Sequence, residues 1–125
     1  MCAAVIRQNG SCLICSRPEG SKWQGFREFP GGKIEPGETV SQCICRELKE
    51  ELNLKIRALD TIWVMEHEYP EYRVRVHFVR CMICPDSPEP ESRENQAFCW
   101  VRTGDLPEMN LLPADMPLAL WLMKN

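Results

Sequence analysis

Between Gly31 and Asn53, a loop with glycines, Gly31-Gly32-Lys33-Ile34-Glu35-Pro36-Gly37-Glu38, runs straight into a segment whose spacing leaves little choice but a helix. Thr39 stands three residues before Gln42, the spacing of a capping box, and Val40, Ile44, Leu48 and Leu52 recur every four residues. The period predicts about three and a half turns with one apolar stripe. Within it, Arg46-Glu47-Leu48-Lys49-Glu50-Glu51 puts Glu47, Glu50 and Glu51 at i, i+3 and i+4, so three carboxylates share one face. Like charges so placed repel by about a few tenths of a kcal/mol per pair unless a cation or basic partner lies over them. A solvated surface helix, diluted by Arg46 and Lys49, is the plainer alternative.

The rest of the chain reads mainly as strands. Asn9-Gly10 between two apolar runs is a hairpin signal. Arg17 to Phe26 reads as a loop, followed by a short strand near Glu28-Phe29. Residues 54–67 and 72–83 are rich in β-branched and aromatic residues, with Tyr69-Pro70-Glu71 as the bend between them. In the second run Val74, Val76 and Phe78 alternate with Arg73, Arg75 and His77, a strand with one buried face. A polar, proline-rich loop (85–94), a strand (97–101) and an apolar helix (116–123) close the chain. With no repeat and no linker, an α/β (α+β) architecture follows: one domain over residues 1–125, with a mixed sheet between helices.

Composition narrows the function. At 125 residues, 44% hydrophobic and 26% charged, the chain is of ordinary globular type, which excludes disordered, collagen-like and coiled-coil readings. A net charge of −3 offers no footprint for a nucleic acid polymer. The apolar run Cys2–Ile6 is too short for a signal peptide or a membrane span, so we expect no membrane and a cytoplasmic protein. In that compartment the eight cysteines are expected as free thiols. Cys12/Cys15 and Cys81/Cys84 have the C-x₂-C spacing of zinc sites, but in strands residues i and i+3 point to opposite faces.

Written from Gly32, the central segment is G-x₅-E-x₇-R-E-L-x-E-E-x-N-L, ending at Leu54. Residues 32–54 resemble the Nudix box, departing only at Asn53, where that family has glycine. Asn is next best to Gly at the left-handed backbone a helix C-terminus needs. The resemblance implies a Nudix fold and hydrolysis of a nucleotide diphosphate linkage by water with Mg²⁺, Mn²⁺ being a possible substitute. It implies that Glu47, Glu50, Glu51 and the Gly31 carbonyl hold metal, and that Glu47 is ligand or general base. By the same resemblance Arg46 orients the glutamates, with Gly32 and Glu38 in support. Glu28-Phe29-Pro30-Gly31-Gly32-Lys33 is similar to the E-F-P-G-G-K of the MutT-type branch, the nucleoside triphosphate pyrophosphohydrolases. That branch implies phosphate contact by Arg17, substrate contact by Glu28, Phe29 and Lys33, and a loop glutamate, Glu94, that joins the metal site and competes with Glu47 as base. Leu112 to Leu118 resembles the segment that meets the base, with Asp115 as its polar contact. Asp115 as a simple cap of the last helix is the alternative. Its P-A-D-x-P-L form is closer to the branch acting on cytidine triphosphates, so 8-oxo-dGTP and CTP or 5-methyl-dCTP both stand as substrates. A Nudix-fold binding module without catalysis is a further alternative. Trp23, Trp63, Trp100, Trp121 and Tyr69 are candidates to stack on a base, and monomer and homodimer are both open.

Overall fold

Asn9 and Gly10 both take left-handed backbone, with φ of 52° and 79°, and turn β1 (Cys2–Gln8) into β2 (Ser11–Ser16) as the Asn-Gly pair predicts. The computed structural model describes residues 1–125. It continues through two-residue strands β3 (Arg27–Glu28) and β4 (Gly31–Gly32) into α1 (Val40–Leu52). A long antiparallel hairpin, β5 (Ile56–Glu68) and β6 (Arg73–Ile83), follows, then β7 (Phe98–Arg102), a 3₁₀ turn and α2 (Met116–Lys124). β1 is the hub: it runs parallel to β6 and antiparallel to β2 and β4, while β2 also carries β3 and β7. The sheet is therefore mixed.

The apolar runs of β1 and β2 are continuous because both of their faces are covered. Ala3, Val5, Cys12 and Ile14 face α2, through Leu118, Ala119 and Leu122. Ala4, Ile6, Leu13 and Cys15 face α1, through Ile44, Leu48 and Leu52. The sheet thus lies between the two helices, as the sequence predicts. Cys12 and Cys15 fall on opposite sides of it, which separates the members of the first C-x₂-C pair.

One expectation is overturned. Cys2 and Cys43 are joined as a disulfide under α1, and only the other six cysteines are free. The pair is 41 residues apart in sequence, and no spacing rule links a strand residue to a helix residue at that distance. A loop of that length gives about 4 kcal/mol in the chain-entropy model. Thiol titration of the unfolded, unreduced protein should count six sulfhydryls, and Cys43→Ser should lower Tm by about 15 °C. A count of eight would contradict the pairing.

Candidate active site

α1 begins and ends as its sequence dictates. Thr39 Oγ1 accepts from Gln42 N–H at 3.1 Å, and Gln42 Oε1 accepts from Thr39 N–H at 2.9 Å, closing the capping box. Asn53 is left-handed at φ 57°, and its N–H turns back to the Leu48 and Lys49 carbonyls. The last turn has further partners from outside the helix. Arg93 N–H donates to Glu51 O and Glu91 N–H to Leu52 O, each at 2.9 Å, which pins the 85–97 loop against α1. Glu94 is exposed on that loop, close enough for its charge to act on both Glu47 and Glu51.

Arg46 answers the repulsion on the acidic face. Its Nε and Nη2 hold both oxygens of Glu38 at 2.7 and 2.9 Å, and Nη1 reaches Glu47 at 2.8 Å and Glu50 at 3.2 Å. Nη2 also donates to the Lys33 carbonyl at 3.0 Å, tying the loop to the helix. Bidentate pairing of this kind fixes direction as well as charge, and it pulls the Glu38 carboxyl down to about 2. Because Glu47 and Glu50 both lean on Arg46, no three carboxylates converge on one point.

Glu51 lies deeper. Burial, with Glu47, Glu28 and Glu94 adding to it, pushes its carboxyl up to about 9. Its Oε2 is buried without a hydrogen-bond partner. An uncompensated carboxylate oxygen of this kind calls for a cation. Burial also raises Glu47, against the opposing pull of Arg46. The glycines of β4 have separate reasons to be glycine. A Cβ on Gly31 would run into the Cys2 carbonyl and Ala3 Cα of β1, and a Cβ on Gly32 would occupy the space of the Glu47 carboxylate. The all-oxygen donor set, the orphaned Glu51 oxygen and the cradle over Gly32 fit a hard divalent cation.

Beside this face opens a cavity of about 810 Å³, whose lining includes Gly31, Gly32 and Lys33 together with Tyr69, Ala114 and Asp115. Arg17 and Glu28 lie in its wall, paired at 3.1 Å, and burial raises the Glu28 carboxyl against that pull. Asp115 is buried, with Oδ2 accepting from Phe29 N–H at 3.0 Å, and burial pushes it up to about 8. It opens α2 by position, but its side chain makes no capping bond to the helix. Phe29 also lines the cavity, although its ring is only 2% exposed and packs edge-on against Phe78. Of the candidate stacking residues, Trp23 and Tyr69 line the cavity, joined by Tyr72, whose exposed polar turn gave no signal in the sequence. Trp63 and Trp121 pair with each other instead, and Trp100 lies by a separate small pocket.

The family model for the NUDIX domain matches residues 1–120. The chain belongs to the Nudix domain family. As a Nudix hydrolase it acts on nucleotide diphosphate bonds. Among its Nudix relatives, it is 34% identical over 117 residues to the CTP pyrophosphohydrolase of Escherichia coli (strain K12), covering 93% of this chain and 84% of that protein. It is 30% identical over 115 residues to the 8-oxo-dGTP diphosphatase of the same strain, covering 91% and 88%. The solution structure of the E. coli ORF135 protein superposes with a TM-score of 0.82 at 31% identity, over 98% of this chain and 86% of that one. The MutT protein of Methanosarcina mazei Go1 shares the fold with a TM-score of 0.82 at 24% identity.

Proposed function

We propose that the protein cleaves a nucleoside or deoxynucleoside triphosphate to the monophosphate and pyrophosphate, with Mg²⁺, and clears modified nucleotides such as 8-oxo-dGTP from the pool. The orphaned Glu51 oxygen, on the acidic face of α1 beside the cavity, carries this reading. Glu47, Glu50, Glu51, Glu94 and the Gly31 carbonyl would hold the metal, with Mn²⁺ as substitute. When bound, the metal supplies charge neutralisation of phosphate oxygens and acidification of water. Arg46 holds Glu47 in place, and Glu47, raised by burial, accepts the proton of the attacking water; Glu94 is the competing base. Arg17, steadied by Glu28 and by the Lys22 carbonyl at 3.1 Å, meets the phosphates. Lys33 flanks them.

A second reading, preference for CTP or 5-methyl-dCTP, is favoured by Asp115. A carboxyl raised to about 8 keeps its proton at neutral pH and so offers a donor as well as an acceptor, which matches N3 and the N4 amine of cytosine. The E. coli relative named for CTP points the same way. Competition among 8-oxo-dGTP, dGTP, CTP, 5-methyl-dCTP, ADP-ribose and a UDP-sugar in one Mg²⁺ incubation tests both readings by chromatography. A triphosphate consumed ahead of ADP-ribose and the UDP-sugar is expected, and preferential loss of either of those two would contradict the proposal.

A further inference from the structure

Among the residues with positive φ that are not glycine, four are asparagines, which tolerate that backbone, and the fifth is Trp23 at φ 63°. A bulky residue persists there only where its surroundings hold it. The indole N–H of Trp23 donates to the Tyr72 hydroxyl at 3.1 Å, and its ring packs on Tyr69 at 5.2 Å and edge-on to Phe26 at 5.1 Å. Its neighbour Lys22 pairs with Glu71 at 2.8 Å and lies 4.3 Å from the centre of the Tyr72 ring. Tyr72 in turn stacks on Tyr69, whose hydroxyl accepts from Ala114 N–H at 3.2 Å, next to Asp115. Two loops about 49 residues apart are thus joined at a cavity that both line, on the side of Ala114 and Asp115.

We propose that Trp23 and Tyr72 form a clasp over the base end of this cavity and set how tightly the nucleoside part of the substrate is held. The inference rests on the reading of the cavity as the nucleotide site. Their mutual hydrogen bond fixes the gap between the loops, and with it the aromatic wall of the cavity against which a base can stack. These two residues act on binding and position, with no part in proton transfer.

Two variants test it. Tyr72→Phe keeps the stacked ring and deletes the acceptor, and Trp23→Gly removes the indole while relieving the left-handed backbone. Binding of CMP and dGMP is measured by calorimetry, and inorganic pyrophosphate is measured as an inhibitor. The clasp predicts monophosphate affinity about three- to tenfold weaker in Tyr72→Phe, the range one neutral hydrogen bond gives, and more than about tenfold weaker in Trp23→Gly. Pyrophosphate inhibition stays within about twofold of wild type, and KM rises more than kcat falls. Unchanged monophosphate affinity in both variants, or equal weakening toward pyrophosphate, overturns the clasp. Wild-type protein that binds neither monophosphate overturns it too. Wild-type protein that binds them but consumes no triphosphate refutes the proposed reaction and leaves the clasp standing.

Discussion

Glu51→Gln should lower kcat by roughly two to four orders of magnitude while making the protein more stable in EDTA. The two effects have one cause. Amide for carboxylate removes the charge that the proposed metal needs and that the buried position resists. Folded Glu51 keeps its proton up to about 9, whereas in the unfolded chain it releases it near the ordinary value of 4.5. Between those values the folded state binds more protons than the unfolded state, so stability falls as pH rises from about 4.5 to about 9. The wild type in EDTA should therefore lose Tm progressively over that window, and Glu51→Gln should show a shallower slope. Added Mg²⁺ should restore wild-type Tm at pH 8 and leave the variant unmoved. Glu47→Gln should match the loss of turnover with a smaller gain in stability, since Arg46 already compensates Glu47 at 2.8 Å. Melting curves and steady-state rates check both; near-normal turnover in both variants would mean that the site is misassigned.

Gly31→Ala and Gly32→Ala, neighbours in one two-residue strand, should fail in different ways. The added methyl of Gly31→Ala meets backbone, Cys2 O and Ala3 Cα, which cannot move without breaking the β1–β4 pairing. A loss of about 3 kcal/mol is expected, with poor expression and low Tm. The nearest atoms to the methyl of Gly32→Ala belong to the Glu47 carboxylate, the far end of a side chain that can swing aside. The fold should survive within about 1 kcal/mol, and kcat should fall about a hundredfold as Glu47 is displaced. Measuring Tm and kcat for both separates them. Equal loss of stability in the two would contradict the contact assigned to Gly32.

The contrast shows what the sequence could and could not reveal. The α1 boundaries were legible, because capping and the left-handed Asn53 are local chemistry. So was the hairpin at Asn9-Gly10, and so was the role of Arg46 as the cation among the glutamates, which the Nudix resemblance implies. The two-sided burial of β1 and β2 was written in their unbroken apolar runs. Contacts between distant segments were not legible. Cys2 meets Cys43, Tyr69 meets Ala114 and Trp23 meets Tyr72 only because the sheet brings those strands and loops together. Phe29 lines the cavity with its motif neighbours and yet is almost wholly buried against Phe78, a depth that a two-residue strand is too short to display as alternation.

The central claim is that the carboxylate face of α1 serves cleavage of a triphosphate into monophosphate and pyrophosphate. Phosphorus NMR of wild-type protein with one triphosphate and Mg²⁺ tests it most directly, with EDTA and Glu51→Gln as parallel samples. The account predicts monophosphate and pyrophosphate signals growing together in the first sample and neither in the other two. Diphosphate with orthophosphate, or equal conversion by Glu51→Gln, would contradict it.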